Sequence, residues 1–527
     1  MMRLGLFMHG EGHHVAAWRD PDVHAGATQS FAHYAKATQL AEHGRFDMVF
    51  NADSQSTFGP DDIDAWKRTT AAVKLEPITL FSALAVVTKR IGLVCTSSTT
   101  YNDPFHVARF FASMDRLSNG RAGWNLVTSS AASEAYNFSY DEHVPHAERY
   151  VRAREFAEVV FGLWDSWDED AYLGDKASGL YFDPSKLHTL NHKGHYFKVR
   201  GPLTVMRSEQ ARPVVVQAGQ SEDGRDLAAA TAEVLFTVQQ DMKLAQAFYT
   251  DVKRRAAAYG RSSEGILVMP GVLPVLGRTE REAREKFEAL QALMQPELGI
   301  AVLSEIVNLD LSKFDLDGPL PDAPTTNRQQ GRQQVVYELA RKENLSIRKI
   351  IERTVGARAH RIVCGTAPQI ADTLEEWFVS GACDGFNIMP LTIPAGLQDI
   401  VDELLPELRR RGLFRTEYEG ATLRANLGSP RPVPRPARSR YDPAMITKAL
   451  GLQERLHGVS HEPTGIAWRD WGDGRLLKRV PLEEAVGRYG ASYYVVHRGD
   501  LHNLLAESLP PGVVQVNKRC VGVELRP

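Results

Sequence analysis

Polar side chains stand at the ends of several apolar runs in this chain, and their types suit gripping a polar ligand. Asn51-Ala52-Asp53-Ser54 closes one run and Ser98-Thr99-Thr100-Tyr101 a second. A third run, residues 121–129, carries Asn125, and Gln217-Ala218-Gly219-Gln220-Ser221 closes a fourth. Ser221 is the sharpest case. A glycine-rich turn leading into a helix offers free backbone N–H groups and a positive dipole end, which suits a phosphate. Each of these residues alone also serves as a helix N-cap. His146 and Tyr150 are four apart and share one helix face, as a ligand pair or a packed pair does. His9, His13 and His14 cluster after the first apolar run and are candidates for proton transfer; loop histidines without a role are the competing reading. Adjacent histidines cannot both point inward, and no carboxylate pair lies near them, so no metal is expected.

Motifs for other chemistries are missing. There is no GxxxxGK[ST], no HExxH and no GxSxG. Gly10-Glu11-Gly12 lacks the third glycine and the helical pattern of a dinucleotide fingerprint, so no bound nicotinamide is expected.

The elements that must carry these residues alternate. Strand-like runs cover residues 2–9, 46–52, 91–99, 121–129, 213–218, 234–238, 266–276 and 385–389. Helical spacing covers 31–45, 76–89, 104–117, 146–164, 242–259, 280–294 and 397–411, with a further helix after Ser221. The strands are continuously apolar rather than alternating, which means burial on both faces, as in a parallel sheet. About eight strand–helix units predict a (β/α)₈ TIM barrel. Polar strand ends are spread along the whole series rather than gathered at one switch point, which favours the barrel over a doubly wound sheet. Residues 165–212 and 299–360 read as insertions.

Net charge is −3, which argues against a nucleic-acid-binding face. The most apolar stretch, 78–94, is broken by Lys89 and Arg90, so no membrane span is expected, and the N-terminus has too short an apolar run for a signal peptide. Four cysteines without CxxC spacing suit a reducing, cytoplasmic setting. Residues 429–440 hold four prolines and four arginines, a linker composition. It separates a domain at 1–428 from a small α+β appendage at 441–527.

The stretches GHHVAAWRDPD, FDMVFNADS, TSSTTYNDPFHVAR, MDRLSNGRAGWNLVTS, HAERYVRAREF, HKGHYFKVRGPL and PVVVQAGQSEDGR run in order over about residues 2–425. Together they resemble the bacterial-luciferase-like FMN-dependent monooxygenases, in the branch of the nitrilotriacetate, dibenzothiophene-sulfone and long-chain alkane enzymes. The resemblance implies a barrel that takes FMNH₂ from a separate NAD(P)H:flavin reductase and uses O₂ to oxygenate a small organic substrate, in some members with C–N or C–S cleavage. It places flavin contacts at Asp53, Thr99, His146, Tyr150 and Ser221, with Asn125 on the same lining strand. Tyr150 and Ser221 fall toward the phosphate; Asp53, Thr99 and Asn125 fall toward the ring and ribityl chain. It also implies a homo-oligomer. A deazaflavin-dependent oxidoreductase of the same superfamily and a non-catalytic flavin-binding scaffold are the alternatives. The tail, with HRGDLHNLL and Arg498, resembles an internal slice of the FAD-dependent aromatic hydroxylases. It lacks their GxGxxG unit, so no FAD is expected there. Substrate specificity is expected in loops 58–74 and 165–198.

Overall fold

A computed structural model describes residues 1–57, 63, 67–324, 326 and 330–432, and short pieces at 455, 458, 460–461, 465–469, 476–481 and 495–496. The chain divides into two units, Met1–Pro434 and Arg435–Pro527. In the second, Gly465–Arg469 pairs antiparallel with Leu476–Pro481, and Ser460–His461 with Val495–Val496. Arg498 and most of the tail segment lie outside the described residues.

The first unit is a closed barrel. Its strands are β1 (Arg3–Phe7), β2 (Met48–Asn51), β3 (Gly92–Ser98), β4 (Ala122–Val127), β5 (Val214–Gln217), β6 (Val234–Thr237), β7 (Leu267–Leu276), β8 (Arg361–Gly365) and β9 (Gly385–Ile388). All pairings in the ring are parallel, running β1-β2-β3-β4-β5-β6-β7-β9 and back to β1. The eight strands expected from the apolar runs are therefore the eight staves. β8 is additional. The ten-residue β7 uses its lower half in the ring, and its upper half, from Val272 onward, pairs with β8.

The helices are α1 (Phe31–His43), α2 (Pro77–Val87), α3 (Pro104–Leu117), α4 (His146–Trp164), α5 (Glu222–Thr231), α6 (Met242–Ala258), α7 (Glu280–Ala292), α8 (Pro296–Val307), α9 (Gln330–Glu343), α10 (Ile347–Thr354) and α11 (Ala367–Val379). Side-chain caps start most of them, for example Asp103 on the N–H groups of Phe105 and His106, and Asp241 on those of Lys243 and Leu244. The insertion between residues 165 and 212 forms two hairpins. The later insertion is α8–α10. Its apolar faces pack with Val15 and Val238, which follow β1 and β6, so this insertion roofs one side of the barrel mouth.

The opposite end is plugged. Leu423, from the short helix Leu423–Leu427, enters the barrel between β3 and β4. A Cβ on Gly92 would meet the Leu423 side chain at 2.4 Å and the Asp47 carbonyl oxygen at 2.9 Å, so a larger residue there would displace the plug. Within the barrel, Phe7, Phe50 and Phe236 meet with centroids 4.8–5.5 Å apart and form the floor beneath the mouth.

Candidate active site

Above that floor, the strand termini of β2, β3 and β4 border a cavity of about 430 Å³ walled by Asp53, Lys74, Thr96, Ser98, Val127 and Glu134. Asp53 lies 3.3 Å from the Lys74 ammonium. Burial raises the Asp53 carboxyl above its usual range, and Lys74 pulls it back toward ionisation. Glu134 is buried and accepts from Ser54 at 3.2 Å and Ser129 at 2.8 Å. Thr96 donates to the Asn51 carbonyl and accepts from the Asn125 amide, both at 2.7 Å. Among the described residues, Asn125 Oδ1 is left buried without a partner, as is Gln217 Oε1 on the adjacent strand. A buried acceptor with nothing to accept from costs free energy, so both suit a ligand that brings N–H or O–H groups.

A second cluster gathers where α4 meets α5. His146 opens α4 with its Nδ1 3.3 Å from an Asp223 oxygen in the first turn of α5. Its ring lies 4.8 Å from that of Tyr150. Burial lowers the His146 imidazole, with Arg149 adding to the effect and Asp223 opposing it. Ser221 caps α5, accepting from Gly224 N–H at 3.2 Å. The turn before it is tight: a Cβ on Gly219 would meet Gly224 Cα at 2.7 Å. The first-turn carboxylate of Glu222 is spent on Arg225 and Arg255. Both first-turn carboxylates of α5 are thus paired, Glu222 with two arginines and Asp223 with His146.

Thr99 stands between the two clusters. It is fully buried, and both its N–H and its hydroxyl donate to the Val127 carbonyl, at 2.8 and 3.1 Å. Arg149 ties α4 to the end of β4 through the Thr128 and Ser129 carbonyls. Of the six residues expected to contact flavin, only Asp53 lines the cavity itself. Asn125 reaches it through Thr96, Thr99 through Val127, and His146, Tyr150 and Ser221 form the neighbouring group.

The three histidines separate. The loop after β1 is locked down: His13 N–H donates to the Pro390 carbonyl at 2.9 Å, and Ile393 N–H to the Glu11 carbonyl at 2.9 Å. That aims His13 over Phe7, 4.9 Å away, with His9 at 5.2 Å. Neither ring nitrogen of His13 has a hydrogen-bond partner among the described residues. Burial lowers His13 well below the usual imidazole range, helped by His9, Arg358, His360 and Arg332. His14 points the other way. Its Nδ1 accepts from Ala16 N–H at 3.1 Å and its Nε2 meets Gln291 Oε1 at 2.6 Å, so both nitrogens hold structure. His360, Arg332, Arg358, Lys74 and Glu134 were not singled out by sequence reasoning. His360 precedes β8, and without that strand nothing in the sequence marks it as a mouth residue.

His14 carries a pH prediction. Burial lowers it to about 4, partly offset by the Gln291 bond. The unfolded chain takes up a proton near pH 6.5 that the folded protein resists. The contribution is whole above that value and is lost as pH falls through about 4, reaching roughly 3 kcal/mol at pH 4. In His14→Asn, the stability difference between pH 7 and pH 5 is expected to shrink by about 2 kcal/mol in urea unfolding; an unchanged difference rules the assignment out.

Among known proteins, the model of the luciferase-like monooxygenase family (Bac_luciferase) matches residues 11–384. The chain is 49% identical over 440 residues to N-acetyl-S-(2-succino)cysteine monooxygenase of Bacillus subtilis, covering 83% of this chain and 98% of the relative. It is 49% identical over 439 residues to nitrilotriacetate monooxygenase component A of Aminobacter aminovorans, covering 82% and 97%. Its fold matches the crystal structure of riboflavin lyase with modified FMN and riboflavin, with a TM-score of 0.74 at 31% identity, covering 83% of this chain and 98% of that one. The chain belongs to the luciferase-like monooxygenase family.

Proposed function

We propose that this member of the luciferase-like monooxygenase family binds reduced FMN across its barrel mouth and uses O₂ to oxygenate a small organic substrate, the reduced flavin coming from a separate NAD(P)H:flavin reductase. The observation that carries the reading is the unpartnered Asn125 Oδ1, set beside a cavity of about 430 Å³ on the same mouth as the α5 N-terminus. One end of that arrangement suits a polar heterocycle, the other a phosphate.

Reduced flavin, when bound, supplies the electrons that activate O₂. The chain's own residues position and enclose. Ser221, Tyr150 and His146 hold the phosphate end. Asn125, Thr99 and Asp53 orient the ring and ribityl chain. The floor of Phe7, Phe50 and Phe236 and the roof of α8–α10 keep water out. Burial disfavours the charged form of His13, and neither of its nitrogens has a partner among the described residues, so it can exchange a proton with the substrate. The relatives acting on nitrilotriacetate and on N-acetyl-S-(2-succino)cysteine favour oxygenation at a carbon bonded to nitrogen or sulfur, and the name "component A" fits a reductase partner. The test is anaerobic titration with FMNH₂, then turnover of amines and thioethers with a flavin reductase and O₂. Tight FMNH₂ binding with substrate oxidation is expected; binding without oxidation of any substrate points to a scaffold instead.

A further inference from the structure

The second insertion ends in a strained loop that carries two polar side chains, Arg358 and His360, to the barrel mouth. Arg358 and Ala359 both adopt left-handed backbone, with φ of 50° and 69°. Two consecutive non-glycine residues there cost energy that the surrounding contacts must hold in place. They do: Ala359 N–H donates to the Thr354 carbonyl at 2.8 Å, His360 N–H to the Ala357 carbonyl at 2.9 Å, and Gln240 donates to the Ala359 carbonyl at 2.8 Å. The result sets His360 6.1 Å from His13, stacked on Phe236. Arg332 comes from the first turn of α9, next to Gly331, which packs so closely on Gln220 that a Cβ would meet its side chain at 2.5 Å.

This corner is cationic and under-bonded. Among the described residues, the Nε atoms of Arg358 and Arg332 are buried without a partner, as are both ring nitrogens of His13. Among the described residues neither arginine forms an ion pair. Glu305 is the one carboxylate felt at both, and it is exposed. Burial lowers the proton affinity of His13 and His360, and both guanidinium groups add to the effect. A desolvated guanidinium with no anion beside it is costly, and its planar fork matches a carboxylate.

We propose that Arg358 and Arg332 seat a carboxylate of the substrate beside His13 and His360, so that the molecule oxygenated is a small organic acid. The inference rests on the oxygenase reading and names its substrate class.

Calorimetry on the flavin-free full chain tests it, with thiodiacetate, iminodiacetate and succinate as probes and dimethyl thiodiacetate as the neutral control. Since no flavin is needed, failure here is separable from failure of the oxygenase reading. At least one acid is expected to bind, with the ester binding weakly or not at all. Arg358→Met and, independently, Arg332→Met are expected to weaken the acid roughly thirtyfold or more. Arg358→Lys is expected to recover part of it, and FMN affinity is expected to be unchanged in all three variants. No binding of any acid to the wild-type chain, equal binding of the ester, or unchanged acid affinity in both Met variants overturns the proposal. So does a parallel loss of FMN affinity, which would give the arginines to the cofactor.

Discussion

Ser221→Asp is expected to weaken FMN binding by at least about a hundredfold while leaving the fold as stable as before. Asp is as good an N-cap as Ser, and a negative charge at a helix N-terminus interacts favourably with the dipole. The Gly224 N–H that Ser221 Oγ now accepts from would bond the new carboxylate equally well. What changes is the sign of the site. A carboxylate a few ångströms from a phosphate dianion, at an effective dielectric near 20, costs about 3 kcal/mol or more, which is over a hundredfold in affinity. Fluorescence titration with FMN measures the loss, and thermal unfolding of the same sample controls for the fold. Unchanged affinity would remove the phosphate from the α5 terminus. Ser221→Ala is the milder comparison. It removes the cap without adding charge, so its effect on affinity should be small beside that of Asp.

The barrel was readable because its staves are so uniform. Runs such as Leu93-Val94-Cys95 and Val214-Val215-Val216 are buried on both faces, and only a covered parallel sheet asks for that. β8 escaped notice because Arg361–Gly365 is mostly half-buried, starts on a charged residue, and adjoins a long insertion. Missing it also hid His360, whose place at the mouth depends on β8 lying against the upper half of β7. The polar strand ends are legible by position, with Asp53 just after β2 and Ser221 just after β5. Arg332 and Arg358 are not: in sequence they look like surface charges on a polar segment, and only α8–α10 folding over the mouth buries their Nε atoms. The Asp53–Lys74 contact is equally opaque, since it joins two loop residues 21 apart that no periodicity relates.

Asp47→Ala is expected to produce the opposite signature at the far end of the barrel: a loss of about 3–5 kcal/mol in stability with FMN affinity of the folded fraction unchanged. Asp47 precedes β2 and is fully buried. One of its oxygens accepts Leu4 N–H at 2.7 Å, which fixes β1; the other accepts Arg415 Nη2 at 2.6 Å. That same nitrogen reaches the Asn426 carbonyl at 2.6 Å, holding the segment that carries Leu423 into the plugged end of the barrel. Removing the carboxylate leaves a guanidinium in the interior with no counter-charge and an orphaned strand N–H, and truncation opens a void besides. Arg415→Ala should cost a similar amount by stranding the carboxylate. The double variant should cost clearly less than the sum of the two, because each single change already destroys the shared contact. Urea unfolding of the four proteins gives the coupling directly. Additive losses would mean that the pair is not a unit and that the bottom of the barrel is held by apolar packing alone.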